Sequence, residues 1–257
     1  MLPHPWDDET LRAALGFTDA EIEAAHRNET ALDGAPGSVS AGCLPAPSSW
    51  QPLPYPGGRH PRSGFLEGAF DPQRETKLLF GVPDMGGYLV LDLPEAIWSD
   101  EQLIFLAHTH LPTVWDRNGE RHTFTPWNIS LDGRTAANSH VLPDGTTVSA
   151  EATRSSDSRI DLLLSIVNRS DHDLTDVWAQ TCLMLAQADL GSTDTEIVLS
   201  SDIAALRLSE RMQLEFAWEK VKRTWQNPPV PCMHNDPFLG SCRPGDTLTV
   251  RGSLALR

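Results

Sequence analysis

Two histidines, His108 and His110, stand two residues apart at the end of an apolar run that begins at Ile104. If residues 104–110 form a strand, both imidazole rings point to the same face of it, about 7 Å apart. Two imidazoles on one rigid face are a common first half of a metal site, and they can also act as an acid/base pair. One solvated and one core histidine would give the same spacing, so the pattern predicts a site without naming a reaction.

A third histidine, His234, lies in the segment NPPVPCMHNDPFLGSC. We expect its prolines to exclude regular structure and to hold a loop in a fixed conformation. Such a loop could bring His234 or Asp236 to the first two histidines. We therefore predict a divalent metal bound by His108, His110 and His234, or by a carboxylate in place of the third histidine. A metal-free acid/base site is the alternative.

The four cysteines, Cys43, Cys182, Cys232 and Cys242, are too few and too scattered for a disulfide-rich scaffold. We expect reduced thiols. Cys182 lies in an apolar run and is predicted to be a small buried residue. Cys232 and Cys242 flank His234, so a zinc clasp is an alternative there, although the spacing lacks the paired C-x-x-C of structural zinc sites.

A dense cluster of polar residues occupies the segment RSGFLEGAFDPQRETK. It could line a pocket with a base and a cation for a hydroxylated or carboxylated substrate. A turn rimmed with surface ion pairs is the alternative. The candidates are the catalytic residues Glu67, Arg74 and Glu75 and the substrate-binding residue Arg62.

Aromatic residues follow the histidine pair, and Trp115, Trp127 and Asn128 are candidates for substrate contact. Aromatic rings beside polar groups bind the flat faces of sugars. Filling of the hydrophobic core is the alternative for both rings, and it is favoured more for Trp115 than for Trp127, which has Pro126 and Asn128 as neighbours.

From Phe65 onward the sequence has the pattern of β structure, with apolar or alternating runs separated by Gly, Pro, Asn and Asp. Helical crossovers are lacking between most of the runs, so we predict an all-β fold of antiparallel sheets packed face to face. Residues 212–218 fit a helix or a strand. A short strand is expected to end at an exposed His140. The predicted strands are residues 77–82, 88–93, 103–110, 122–131, 146–153, 159–168, 175–188, 196–199 and 247–256.

The amino-terminal part of the chain has a different character. Residues 7–28 show helical periodicity with Asp7 or Asp8 as the N-cap. Residues 32–61 are rich in Gly, Pro and Ser, which excludes the interior of a sheet. Trp50 and Tyr55 favour an arm laid over the domain, and a loosely ordered linker is the alternative. We therefore predict a helical segment and Pro-rich arm over residues 1–61 and a β-sandwich domain over residues 62–257.

Charge and motifs exclude several classes of function. Acidic residues outnumber basic ones 35 to 20, and a net charge of −15 argues against nucleic acid or an anionic membrane as a partner. The start of the chain lacks the basic and apolar parts of a signal peptide, so we expect a cytoplasmic protein. The sequence lacks G-x-S-x-G, H-E-x-x-H, the P-loop and G-x-G-x-x-G, so we expect no nucleotide or flavin.

Two segments, LLLSIVNRSDHDLTDV and RPGDTLTVRGSLAL, place turns beside strands in a way that resembles the galactose mutarotase-like β-supersandwich. This is the fold of aldose epimerases and of sandwich domains in several glycoside hydrolases and polysaccharide lyases. The resemblance spans residues 62–257 and implies a cleft in which a histidine pair and a carboxylate act. His108, His110 and His234 are the residues here that could fill the histidine roles. RSGFLEGAFDPQRETK, LPEAIWSDEQLIFLAHTHLPTVW and CMHNDPFLGSC also resemble a family of bacterial proteins of unassigned activity.

The residues and the resemblance together predict a carbohydrate-active enzyme, an epimerase, lyase or hydrolase, that binds a small-molecule or oligosaccharide ligand. A noncatalytic carbohydrate-binding or scaffold sandwich is the alternative. Convergence of the histidines with a carboxylate in one cleft would favour the enzyme, whereas an exposed aromatic strip without them would favour the binding protein. The oligomeric state is left open.

Overall fold

Strands account for most of the residues that the computed structural model describes, which are residues 50–54, 76–82, 88–100, 102–107, 126–185, 196–226 and 232–257. Within these ranges every strand pairing is antiparallel. The strands are β1 (Leu53–Pro54), β2 (Lys77–Gly81), β3 (Tyr88–Ser99), β4 (Gln102–Leu106), β5 (Asn128–Ile129), β6 (Thr135–Val141), β7 (Thr147–Ser156), β8 (Arg159–Val167), β9 (Leu174–Met184), β10 (Ile197–Leu199), β11 (Ile203–Ser209), β12 (Met212–Trp218), β13 (Val221–Gln226), β14 (Cys232–Cys242) and β15 (Thr247–Leu256).

The strands form two sheets that pack face to face, as the sequence predicts. The first sheet has the order β1-β2-β3-β9-β14-β13, with β4 also paired to β3. The second sheet has the order β10-β11-β12-β15-β8-β7-β6-β5. Asn235 of β14 joins the two, because its Nδ2 donates to the carbonyl oxygen of Phe216 in β12 at 2.6 Å and to that of Asp202, between β10 and β11, at 3.0 Å.

The main hydrophobic core lies between the sheets. In β8 the residues alternate between half-buried and buried, and Ile160, Leu162, Leu164 and Ile166 enter the core. This period of two is what a strand covered on one face produces. In the first sheet, by contrast, β3 is buried almost throughout, and β9 is buried from Ala179 to Met184. The face of that sheet opposite the core is therefore also buried, and we call it the far face.

Residues 50–54, the start of the described part, pack against the first sheet. Trp50 is buried in the main core, with its ring centroid 5.8 Å from that of Phe80. Leu53 and Pro54 pair with β2 at the end of the first sheet, a position where proline is tolerated because it lacks the amide donor. The predicted helical segment and Tyr55 lie outside the described residues.

The structure corrects several of the predicted elements. It describes fifteen strands rather than about nine, and residues 212–218 form a strand, β12. Residues 159–168 and 247–256 were predicted nearly to the residue. The segment around His234 is not a loop, because β14 pairs with β9 on one side and β13 on the other. Its ladder with β13 shifts register between Val221, which is paired with Pro237, and Arg223, and this irregularity accommodates the proline within a sheet.

His140 is also corrected, because it is 1% exposed rather than exposed to solvent. It lies in β6, and its ring centroid is 6.0 Å from that of Phe105 in β4. The alternation of β6, in which Ala136, Asn138 and His140 are buried, places the imidazole on the inner face. Within the described residues, no helix is long and apolar enough to span a membrane.

Candidate functional site

Five side chains form one row across the first sheet. Lys77 is paired with Asp92, Asp92 with Cys182, Cys182 with His234, and His234 with Trp225. Directly opposed residues of antiparallel strands share a face of the sheet. We call this set the central row, and it brings residues from β2, β3, β9, β14 and β13 side by side.

The central row lies on the far face. Leu91, Leu183 and Met233, each next in sequence to a member of the row, belong to the main core. Cys182, in contrast, packs in a second buried cluster with Cys232. Because neighbouring residues of a strand point to opposite faces, the row faces away from the core, and four of its members are nevertheless almost fully buried.

Glu95 reaches the far face through an irregularity in β3. The pairing of β3 with β9 shifts between Asp92 and Ala96, so that two extra residues of β3 fall between these rungs. The Glu95 Oε2 atom accepts a hydrogen bond from Gln180 Nε2 at 2.7 Å and lies 3.8 Å from His234 Nδ1. A buried carboxylate therefore stands beside the buried imidazole.

Asp236, two residues beyond His234 on the same face of β14, is surrounded by donors. Its Oδ1 accepts from the Thr181 backbone amide at 3.0 Å. Its Oδ2 accepts from Arg223 Nε at 2.7 Å and from Trp225 Nε1 at 2.9 Å. These three hydrogen bonds hold the buried carboxylate in one orientation. Two of them connect it to Arg223 and Trp225 of β13, at the edge of the site.

Arg223 is the most exposed charged group of the site, with a side chain 47% accessible. Its Cζ lies 4.8 Å from the ring centroid of Trp178 and 5.1 Å from that of Trp225. Its Nη2 donates to Gln180 Oε1 at 3.4 Å. Trp178 in turn stacks on Trp98, with centroids 5.5 Å apart and planes 5° from parallel. A guanidinium and half-buried indole rings therefore lie above the buried carboxylates.

Sulfur ligands lie at the other side of His234. The ligand atoms of Cys182, Cys232 and His234 all lie within 4.8 Å of one another, and Cys232 Sγ is 3.4 Å from His234 Nε2. All three side chains are buried. This group could hold a metal ion.

The buried ionisable groups shift one another. Burial alone would lower the pKa of His234, but Cys182, Glu95 and Asp236 outweigh it and hold that pKa above its ordinary value. Burial raises the pKa of Asp236, and His234 and Arg223 act in the opposite direction. The arrangement can thus hold a proton between an imidazole and carboxylates in a site screened from water.

Of the residues predicted from sequence, the structure brings together His234 and Asp236. Trp127 and Asn128 lie on the second sheet, where Asn128 is exposed in the edge strand β5 and Trp127 packs against the main core. The other predicted residues lie outside the described ranges: Arg62, Glu67, Arg74, Glu75, His108, His110 and Trp115.

Sequence reasoning missed Glu95, Gln180 and Arg223. The sequence indicates two of them, Glu95 and Gln180, through their position in apolar runs. Glu95 interrupts the apolar run of β3, and Gln180 interrupts that of β9, and a polar residue inside a fully buried strand needs a partner. Arg223 gives no comparable signal, because a charged residue in an edge strand is ordinary.

No protein-family model matches the chain, and no curated protein matches it in sequence. Solved structures of similar fold exist at low similarity. The heparan sulfate lyase HepC from Pedobacter heparinus is 9% identical, with a TM-score of 0.40, over 93% of this chain and 42% of the lyase. A protein provisionally named as a kojibiose phosphorylase, from the human microbiome, is 9% identical, with a TM-score of 0.40, over 83% of this chain and 34% of that one. A galactose mutarotase related enzyme from Lactobacillus acidophilus is 11% identical, with a TM-score of 0.36, over 70% and 84% of the two chains.

This chain therefore spans about a third of the phosphorylase and two fifths of the lyase. These three proteins bear the names of carbohydrate-active enzymes. TM-scores below 0.5 carry no weight for activity or substrate.

Proposed function

We propose that this protein is a carbohydrate-active enzyme, an epimerase, lyase or hydrolase, whose reacting centre lies on the far face beside Glu95 and His234. The observation that supports this best is the convergence of a buried imidazole, two buried carboxylates and a half-exposed guanidinium. All three reaction types move a proton to or from a sugar carbon or oxygen. Imidazole and carboxylate are the side chains that most often do this.

Glu95 is the proposed acid/base carboxylate. Gln180 donates to its Oε2 at 2.7 Å, and His234 Nδ1 approaches the same oxygen at 3.8 Å. Two neighbours at one oxygen hold the carboxyl group in a single orientation, which a proton transfer requires. In this proposal the ionised Glu95 takes a proton from the substrate, becomes neutral and later returns the proton, and a protonated His234 stabilises the carboxylate form of Glu95 before and after the transfer.

Arg223 is the proposed substrate-binding cation. Asp236 and Gln180 hold its guanidinium in place, and the indole rings of Trp178 and Trp225 flank it. A planar guanidinium suits a sugar carboxylate or a pair of hydroxyl oxygens. The indole faces suit the apolar face of a sugar ring.

Residues outside the described ranges complete the proposal as predicted from sequence. His108, His110, Glu67, Arg74 and Glu75 remain proposed as catalytic residues, and a divalent metal at His108, His110 and His234 remains the sequence-based metal proposal. The substrate contacts proposed from the sequence are Arg62 and Trp115, which lie outside the described ranges, and Trp127, Asn128 and Asp236, which lie within them.

One observation favours a second candidate, a noncatalytic sugar-binding protein. The stacked and half-buried pair Trp98 and Trp178 continues the aromatic surface beside Arg223 and would bind a sugar without any chemistry at Glu95. This candidate differs from the first in requiring no proton transfer.

A substrate screen tests the two candidates together. The purified protein is assayed for turnover and for equilibrium binding against neutral, uronate-containing and oxidised sugars and oligosaccharides. For a sugar that is turned over, Glu95→Gln keeps the shape and the contact with Gln180 but removes the acid/base group, so we expect kcat to fall about 10²-fold or more with KM little changed. Glu210→Gln, in the exposed turn between β11 and β12, is the matched control and should retain full activity.

Each outcome of this screen distinguishes between the two candidates or rejects both. Turnover that Glu95→Gln abolishes and Glu210→Gln preserves supports the enzyme and its reacting centre. Binding without turnover across the panel favours the noncatalytic candidate. Turnover that Glu95→Gln leaves intact would mean that the reacting centre lies elsewhere. The absence of both binding and turnover across the panel would overturn the carbohydrate assignment.

A further inference from the structure

The structure assigns a metal site to Cys182, Cys232 and His234. We propose that these three residues bind a single zinc ion, or another divalent transition metal that favours sulfur ligands, and leave a fourth position open. This ligand set differs from the histidine set predicted from the sequence, and the two sets share only His234.

The spacing of the ligand atoms suits zinc. A tetrahedral zinc ion with Zn–S of about 2.3 Å and Zn–N of about 2.0 Å places a sulfur and a nitrogen ligand about 3.5 Å apart. Cys232 Sγ and His234 Nε2 are 3.4 Å apart, and all three ligand atoms lie within 4.8 Å of one another. The ion therefore fits after small rotations of the side chains.

The ligands are also held by rigid elements. Cys182 is paired with His234, and Cys232 is paired with Met184, on two adjacent strands inside the first sheet. Cys232 and His234 are two residues apart, so they share the far face. Ligands fixed by a sheet ladder need little reorganisation to bind an ion, which lowers the cost of binding.

The second nitrogen of His234 supplies an independent observation. Nδ1 is buried and makes no hydrogen bond with the described residues, and the nearest carboxylate oxygen, Glu95 Oε2, is 3.8 Å away. In metal sites the ring nitrogen that does not bind the ion is usually directed at a carboxylate or carbonyl, which fixes the tautomer. The His234 ring has this arrangement, with Nε2 toward sulfur and Nδ1 toward Glu95.

Donor chemistry sets the class of metal. Two thiolates and an imidazole favour zinc and other thiophilic ions over magnesium or calcium, which take oxygen ligands. Two thiolates would also balance the charge of a divalent ion, so the bound group would be neutral in a buried place where a net charge is costly. Sites with two cysteines, one histidine and an open position are of the catalytic kind.

The metal site does not rest on the proposed function, because the two use different nitrogens of the His234 ring. Glu95 faces Nδ1, and the ion would bind Nε2.

The cysteine Cys242 provides an internal control. It is buried in the same strand but pairs with Leu174 at the other end of β14, and its substitution should leave metal binding unchanged.

The experiment uses untagged full-length protein, produced with zinc in the medium and then reconstituted with cobalt(II). Elemental analysis should give about one equivalent of zinc per chain, and the cobalt form should show thiolate-to-cobalt charge-transfer absorption with the intense visible bands of tetrahedral coordination. Cys182→Ser, Cys232→Ser and His234→Gln should each lose most of the bound metal. Cys242→Ser and the pair His108→Gln and His110→Gln should retain it.

A measurement on the unchanged protein covers variants that fail to fold. Cys182 and Cys232 are already buried, so zinc should slow their alkylation further in mild denaturant, as mapped by mass spectrometry, and a chelator should reverse this effect. Protein that stays metal-free after zinc supplementation, or a cobalt form without thiolate absorption, overturns the site. Metal lost from the His108→Gln and His110→Gln variants but kept in Cys182→Ser overturns it in favour of the histidine set.

Discussion

The indole ring of Trp225 stacks on the imidazole ring of His234, with centroids 3.7 Å apart and planes 12° from parallel. The same indole donates its Nε1 hydrogen to Asp236 Oδ2 at 2.9 Å. One side chain of an edge strand therefore covers the buried imidazole and also supplies a donor to the buried carboxylate. This double contact ties β13 to the polar groups of the far face.

We predict that Trp225→Phe lowers the free energy of unfolding by about 1–2 kcal/mol, measured by urea denaturation. The phenyl ring keeps the stacking on His234 but leaves Asp236 without one of its donors, and a hydrogen bond to a charged group contributes in this range. Trp127→Phe is the control, because the Trp127 Nε1 atom is buried and has no hydrogen-bond partner among the described residues. Equal losses in the two variants would show that the bond to Asp236 contributes nothing.

The ion pair at the end of the central row gives a second prediction. Lys77 Nζ lies 3.3 Å from Asp92 Oδ1, and the two side chains are 1% and 0% exposed. Lys77→Met removes the cation beside the buried Asp92 carboxylate, so it should destabilise the protein by about 3–5 kcal/mol. The double variant Lys77→Met with Asp92→Leu should recover part of that loss. Urea denaturation of the four proteins of the cycle measures this, and a double variant less stable than Lys77→Met would contradict it.

Local pattern was sufficient to predict β8 and β15 of the second sheet but not β14. In β8 and β15 the alternation of apolar and polar residues reflects a strand with one covered face, and that pattern is visible in the sequence. In β14 both faces are covered, so polar residues such as His234 and Asn235 are buried and the alternation is lost. The prolines before Cys232 then suggested a loop.

The candidate site depends on strand register, which one sequence does not reveal. Lys77, Asp92, Cys182 and His234 are far apart in the chain, and only the pairing of β2, β3, β9 and β14 places them in one row. Burial of Cys182 could be predicted from its apolar neighbours, and this prediction is confirmed. Its proximity to His234 could not, because nothing near Cys182 in the sequence indicates which residue lies opposite.

The close packing of Gly252 against Trp218 gives a third prediction. The two residues are directly paired across β12 and β15, and a Cβ atom at position 252 would lie 2.5 Å from the Trp218 ring and 2.7 Å from the Ala217 carbonyl oxygen. Gly252→Ala should therefore destabilise the protein by about 1–3 kcal/mol through overpacking. Trp218→Leu should reduce the cost of adding the methyl group, and the two changes should show coupling in a double-mutant cycle measured by denaturation. Additive losses would contradict the contact.

The thiol of Cys242 gives a prediction of pH dependence. Burial raises its pKa above the ordinary value of 9.0, and Asp246 and Asp173 act in the same direction against a hydrogen bond from Asn168. The thiol therefore ionises more easily in the unfolded chain than in the folded protein. Its contribution to stability is complete below the unfolded pKa and is lost as pH rises through the folded pKa.

Cys242→Ala should flatten the decline of stability between about pH 8 and about pH 10, the range in which an unfolded cysteine ionises. The alanine also leaves a small cavity that lowers stability equally at every pH, so the slope of unfolding free energy against pH is the quantity that tests the prediction. Denaturation at several pH values in this range measures the slope for both proteins. Parallel curves, displaced only by a constant, would mean that the Cys242 thiol titrates alike in the folded and unfolded chains.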